Sequence, residues 1–293
     1  MADKVYLDNT EAAEAWNGVL FDRFSEFRHI FVTGLAAHGT KAMTENPPNS
    51  GDRMLDIGCG FGDTTQQLVR LAGAGGSAIG VDVAERFIEA ARSEAEEAAA
   101  ANVEFAVMDV EREVPEGPFD YVFSRMGTMF FANPVPALRR TREQMRPGAR
   151  LCMVVWRQKD DNPWVNRAER VVEAWLGEPV PDDSNEPTCG PGPFSMANAN
   201  STTDKLLAAG FTDITLRRND LMMRTGRDLE EAVAASIALG PAAEIFRLAG
   251  DEAERARPQI EAALREALAE FETPDGVYAG TSTWTVTAVN PGD

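Results

Sequence analysis

The chain has 293 residues, 44% of them hydrophobic and 26% charged, which suits one large α/β domain with insertions, or a domain plus a small cap, around a sizeable core. Lys and Arg number 28 against 47 Asp and Glu, a formal charge of −19. A surface this acidic repels phosphate backbones and argues against nucleic acid as a partner.

Cys59, Cys152 and Cys189 are far apart and form no CxxC pair, so neither a disulfide framework nor a metal site is expected. Residues 1–14 are charged and lack the apolar segment of a signal peptide. No run of about 18 apolar residues exists, so no membrane span is expected and a cytoplasmic enzyme is the default.

Taken in chain order, Leu20, Phe21, Phe24, Phe27 and Phe31 recur at helical spacing and predict a helical N-terminal segment. Residues 44–52, with Pro47 and Pro48, form a polar boundary. The rhythm then alternates: strand 54–57, glycine-rich turn 58–62, helix 64–72, strand 78–81, and a long Ala/Glu-rich helix 84–101 with Phe87, Ile88, Ala91 and Ala95 on one face. Strands 103–107 and 119–124, helix 136–145 and strand 149–156 continue it. Such a series predicts a parallel sheet covered on both faces.

Residues 160–199 hold six prolines with Trp164, Trp175 and Phe194, and read as a short helix plus an irregular lid. A helix over 202–209 ends at Gly210, and a strand follows over 211–218. Residues 228–271 read as helical, with Ile260, Leu264, Leu268 and Phe271 on one stripe, and 282–289 alternates as a last strand.

The chemistry-bearing motif is Leu55-Asp56-Ile57-Gly58-Cys59-Gly60-Phe61-Gly62, a strand entering a glycine turn before a helix. Its spacing is GxGxG, whereas dinucleotide enzymes use GxGxxG. Asp56 at the strand end suits a cationic ligand and would repel the phosphates of NAD; S-adenosylmethionine carries an ammonium and a sulfonium. Asp82 closes the second strand, 24 residues after Gly58, where a carboxylate accepts ribose hydroxyl hydrogens. Asp109 follows the third strand, where it can accept from an adenine amino group. Three acids ending successive strands converge at the sheet edge where such folds bind ligands.

On these motifs, residues 52–157 resemble the class I S-adenosylmethionine-dependent methyltransferases, nearest the ubiquinone/menaquinone-biosynthesis branch and its secondary-metabolite relatives. Leu55 to Gly62, Gly80-Val81-Asp82 and Val107-Met108-Asp109 match family motifs, as do Phe119 to Ser124 and Arg146-Pro147-Gly148, with Ala149 where the family has a second glycine. The resemblance implies a Rossmann-like α/β fold: a seven-stranded, mostly parallel sheet with an antiparallel last strand, plus helical cap and lid insertions. It implies that Asp56, Gly58, Cys59 and Gly60 meet the methionine moiety, that Asp82 with Val83 holds the ribose, that Asp109 and Val110 hold adenine, and that Ser124 and Arg125 lie beside the cofactor. Trp16, in Trp16-Asn17-Gly18, would either fold over the cofactor or act as a packing anchor. The implied division is a helical segment 1–50 over the cofactor site, a core 51–157, a lid 158–200, core again at 201–220, a helical cap 221–280 and a last core strand 281–293.

Met126, Met129, Phe130, Phe131 and Trp156 follow strands four and five and would wall an apolar or aromatic methyl acceptor, joined by Trp164, Phe194, Met222 and Met223. No catalytic base is assigned: His29 and His38 either reach over the site or sit on a helix surface without a role. Arg125 and Arg157 either steer an anionic substrate or make structural salt bridges. A non-catalytic cofactor-binding protein and an NAD-dependent oxidoreductase are the alternatives. The methyl acceptor, the atom methylated and the oligomeric state are not readable from the chain.

Overall fold

The computed structural model describes residues 10–177 and 191–292. Cys189, residues 1–9 and part of the expected lid lie outside that range.

Helices α1 (Thr10–Ala15), α2 (Phe21–Glu26) and α3 (Arg28–Glu45) lead into the sheet, with a π-turn at Trp16–Leu20 between the first two. The alternating region follows as β1 (Arg53–Ile57), α4 (Asp63–Ala72), β2 (Ser77–Asp82), α5 (Glu85–Glu97), β3 (Val103–Val107), β4 (Phe119–Arg125), α6 (Pro134–Glu143) and β5 (Met145–Trp156). Then come α7 (Pro163–Leu176), α8 (Ala199–Ala209), β6 (Thr212–Gly226), α9 (Leu229–Ala238), α10 (Pro241–Ala249), α11 (Asp251–Leu268), the two-residue β7 (Glu272–Thr273) and β8 (Gly276–Val289).

The sheet order is β3-β2-β1-β4-β5-β8-β6, with β7 paired beside β8. The first five strands run parallel and β8 runs antiparallel to both β5 and β6. This is the expected Rossmann-like sheet with an antiparallel last strand inserted next to β5. Continuous apolar runs explain its centre: Met54, Leu55 and Ile57 of β1 and Tyr121, Val122 and Phe123 of β4 are fully buried, as strands covered on both faces require.

Two departures from the expected elements have clear causes. The sixth and last strands are longer than 211–218 and 282–289, because Leu221 to Gly226 stays paired with Val277 to Thr281, with one register shift between Arg224 and Gly226. Within that extension side chains alternate, so Met222 is 65% exposed while Met223 is buried against Gly34 of α3. The single helical stretch 228–271 is three helices: Gly240 and Gly250 adopt φ of +92° and +50°, and Pro241 starts α10.

α7 shares a core with α9, α10 and α11 through Val172, Ile245, Phe246, Ile260 and Leu264. The lid helix and the cap are therefore one packed layer. Among the described residues, no single helix is long and apolar enough to cross a membrane.

α3 packs across β5 and β6, and His38 is its buried polar anchor. Thr281 Oγ1 donates to the Leu221 carbonyl at 2.9 Å, so its 2.7 Å contact with His38 Nε2 requires the ring to donate. Thr283 Oγ1 then donates to Nδ1 at 3.0 Å. The ring is thereby fixed as the neutral Nε2–H tautomer, and burial pushes its pKa down to about 4. Below its ordinary value of 6.5, the unfolded chain takes up a proton that the folded chain refuses, so this residue's contribution to stability falls as pH drops from 6.5 towards 4. The stability advantage of wild type over His38→Gln, read from urea unfolding, should shrink by about 2 kcal/mol between pH 7.5 and pH 5. An advantage that stays constant with pH contradicts the assignment.

Candidate functional site

A cavity of about 710 Å³ opens at the carboxyl ends of β1, β2, β4 and β5 and the loop after β3. Such clefts outside strand ends are where doubly wound sheets bind ligands. Its roof comes from α2, α3, α7, the α9–α10 corner and residues 191–195.

The floor is organised by the glycine turn. Gly58 and Cys59 donate their amides to the Val81 carbonyl at 2.8 and 3.1 Å, which wraps the end of β1 around the end of β2. Gly58 has φ of +68°, and a Cβ there would sit 2.9 Å from Gly127 Cα, so only glycine lets the exits of β1 and β4 close up. Met126, at the β4 exit, also holds a left-handed backbone, with φ of +61°.

Asp82 ends β2 and borders the cavity. Its Oδ2 accepts from Gly60 N and its Oδ1 from Ala84 N, both at 3.0 Å. Burial raises its pKa and these amides oppose the rise. Each oxygen keeps a lone pair, so the carboxylate can accept from two vicinal hydroxyls. Asp109 lies in the same cavity, its Oδ1 accepting from Glu111 N at 2.9 Å. Val83, Val110, Gly60 and Cys59 complete this part of the wall, and burial pushes the Cys59 thiol well up, so it stays protonated.

Asp56 and Ser124 do not line the cavity. Asp56 is fully buried beneath the turn, because strand alternation turns its side chain towards α4. There its Oδ2 accepts from Thr64 Oγ1 at 2.6 Å and Thr65 Oγ1 at 2.7 Å, while Oδ1 is buried with no partner. Burial raises its pKa to about 6. Ser124 Oγ donates to the Ile57 carbonyl at 2.8 Å and ties β4 to β1. Arg125 does face the cavity, in a bidentate pair with Asp63 at 2.9 and 3.0 Å. Asp63 was not singled out from the sequence, although it follows Gly62 directly and opens α4.

Met126, Met129, Phe130 and Trp156 all border the same cavity, as do Phe131, Trp164 and Phe194. Met222 and Met223 do not, since the chain is still in β6 at that point. Trp16 joins an aromatic cluster, 4.9 Å from Phe130 and 5.5 Å from Phe24, whose other members include Phe87 and Phe61. Asn17 Oδ1 accepts from Arg86 N at 2.9 Å, which docks the N-terminal segment onto the first turn of α5. Phe87 and Phe61 went unrecognised because nothing local marks an aromatic residue as cavity wall.

The two histidines lie elsewhere: His38 is the buried anchor of α3, and His29 pairs with Glu231 at 3.0 Å. Arg157 is structural, reaching Ser282 at 3.1 Å and Asp161 at 3.3 Å and stacking on Trp284.

A methyltransferase domain family matches residues 48–185. The chain is 34% identical over 133 residues to the aklanonic acid methyltransferase DauC of Streptomyces sp. strain C5, covering 45% of this chain and 60% of that one. It is 30% identical over 115 residues to the ubiquinone/menaquinone biosynthesis C-methyltransferase UbiE of Pseudomonas aeruginosa, covering 39% and 45%. The matched region is thus about half of each curated relative's length. The crystal structure of the YcgJ protein from Bacillus subtilis shares the fold at 18% identity, with a TM-score of 0.53 over 89% of this chain and 99% of that one.

The raised pKa of Asp56 has a measurable sign. A folded pKa above the ordinary value means the ionised carboxylate is penalised in the fold, so this residue's contribution weakens as pH rises through about 6. Asp56→Asn keeps an oxygen for Thr64 and Thr65. Its stability relative to wild type, measured by urea unfolding of ligand-free protein, should rise between pH 5 and pH 8. A flat or falling difference would mean that burial does not penalise the charge.

Proposed function

We propose that this chain, whose core is a class I S-adenosylmethionine-dependent methyltransferase domain, transfers a methyl group to a small, largely apolar or aromatic molecule. The observation that carries the reading is a single cavity bordered both by Asp82, Asp109 and the glycine turn and by methionine, phenylalanine and tryptophan side chains.

The donor set fits the cofactor. Asp82 would accept from the ribose hydroxyls and Val83 would flank the sugar. Asp109 and the Val110 amide would meet adenine. Gly58, Cys59 and Gly60 would contact the methionine end, with Asp63 and Arg125 beside it as acid and base partners for its ammonium and carboxylate. Asp56 would act from below, as a buried negative charge behind the turn, and Ser124 by holding β4 against β1. Trp16 would close the cavity over the cofactor. Met126, Met129, Phe130 and Trp156 would wall the acceptor, with α7 and α9–α11 as lid and cap above.

S-adenosylmethionine supplies an electrophilic methyl group. What remains for the chain is to hold an acceptor lone pair or carbanion in line, about 3 Å from the methyl carbon, and to exclude water from it. A deep, mostly apolar chamber serves both ends. The Streptomyces relative, by its name, methylates a small acidic molecule, which supports a small-molecule acceptor for this chain.

Calorimetric titration should show S-adenosylmethionine binding, and Asp82→Ala should weaken it by about 1–3 kcal/mol, roughly 5- to 150-fold. Incubating the protein with labelled methyl donor and small-molecule extracts should yield S-adenosylhomocysteine and a labelled acceptor. Binding of NADH in place of S-adenosylmethionine would overturn the reading in favour of an oxidoreductase, and cofactor binding without any transfer would reduce it to a binding protein.

A further inference from the structure

The charged side chains that border the cavity are Arg23, Asp63, Asp82, Asp109, Arg125, Lys159 and Glu244. Nearly all are engaged. Asp63 pairs with Arg125, Lys159 with Glu169 at 2.5 Å, and Glu244 with Arg247 at 2.9 and 3.0 Å; Asp82 and Asp109 accept backbone amides. Arg23 is different. Its Nη1 donates to the Ala238 carbonyl at 3.0 Å, and among the described residues no carboxylate lies within ion-pair distance of it. Burial and nearby Arg247 push its pKa down and the Glu244 carboxylate, itself gripped by Arg247, opposes them, so Arg23 has an acid in its field but none in its fork; a guanidinium stays charged at any working pH.

The unused part of this guanidinium is its Nε–Nη2 edge. Elsewhere in the molecule the same edge grips carboxylates: Arg247 holds Glu244 with it, and Arg257 holds Glu254 at 2.8 and 2.6 Å. A planar fork of this kind matches a carboxylate in two points. Ala242 and Ala243, in the first turn of α10, border the same cavity, and the Glu244 carboxylate of that turn is neutralised by its bidentate pair with Arg247. Periodicity places Arg23 on the cavity face of the N-terminal helices, with Trp16, Leu20 and Phe24. Arg23 is half-buried on that apolar face, so a ligand anion that met its free edge would gain a charged hydrogen-bonding partner there.

We propose that Arg23 is the specificity residue of the acceptor site, and that it binds an anionic group, a carboxylate or ionised phenol, on an aromatic acceptor at the cap end of the cavity. The proposal rests on the methyltransferase reading for the word acceptor. Its test does not, because the anion site is read without the cofactor.

The probes are anthracene-2-carboxylate and anthracene-2-carboxamide, which share their ring system and differ in charge. Fluorescence titration of the wild-type protein should show the carboxylate binding at least tenfold tighter. Arg23→Gln should remove that preference while leaving carboxamide affinity within twofold, and Arg23→Lys should retain part of it. S-adenosylmethionine affinity, measured in parallel, should be the same in all three proteins. Wild-type protein that binds the two probes equally, or neither below millimolar concentration, overturns the proposal without recourse to any variant. A preference that survives in Arg23→Gln overturns it as well. Loss of cofactor binding in the wild type would instead strike at the methyltransferase reading.

Discussion

The junction of β1 and β2 governs the site. Two amides of the glycine turn close on the Val81 carbonyl, and the next carboxylate along, Asp82, collects one amide from the turn and one from the entry to α5. One side chain thus joins three elements and still presents lone pairs to the cavity. Because each of its oxygens has a backbone donor, Asp82 can sit in a partly buried wall as an anion at tolerable cost. Remove the donors and burial would favour the neutral acid, which accepts fewer hydrogen bonds from a sugar. The glycines matter for the same reason: Gly58 allows the close approach to Gly127 that keeps the turn tight against the strand ends.

Asp56 illustrates a second use of a carboxylate one strand away. It lies two residues before Gly58, and its side chain follows the strand's alternation into the layer beneath, against Thr64 and Thr65. It therefore cannot touch a ligand in the cavity. Its charge still acts at short range through low-dielectric protein, and its unpartnered Oδ1 leaves that charge only half compensated. A cation above the turn would favour the ionised form. A phosphate there would be repelled. Any preference for a cation would therefore act as a field from below and not as a contact.

Much of this was legible from the chain. The change from helical to alternating periodicity, the GxGxG turn and the acids at the ends of the second and third strands sufficed for the sheet and for setting Asp82 and Asp109 at strand ends that border one cavity. The ambiguity lay where local pattern and tertiary context part. Strand residues 221–226 look like neither strand nor helix until Val277 to Thr281 is seen opposite them. Asp56 reads as a strand-tip acid because sequence spacing does not say which face a side chain takes near a turn. Arg157 and His38 carry groups that suit chemistry, yet both are consumed by neighbours on β8 that lie more than 120 residues away. Conversely, Gly240-Pro241 was a visible helix break inside a stretch whose apolar stripe favoured continuity.

The chamber's walls come from segments spread along most of the chain: the first helices, the β4 and β5 exits, α7 and the α9–α10 corner. None of these pieces closes a cavity alone. They are held by two different kinds of packing. The N-terminal helices stack Trp16, Phe21 and Phe24 on Phe61 and Phe87, next to the glycine turn and α5. α7 and the cap helices instead form an apolar core of their own that meets the sheet at Val277 of β8. The β1–β2 junction and the cap thus draw most of their packing from different clusters, the junction from the N-terminal aromatics and the cap from α7 and α9–α11. Arg23 sits where the two systems meet, on an N-terminal helix but bonded to the end of α9. Its single backbone bond fixes the guanidinium in the wall and leaves its carboxylate-binding edge unspent, a position from which one residue can report the acceptor's charge without altering the cofactor's surroundings.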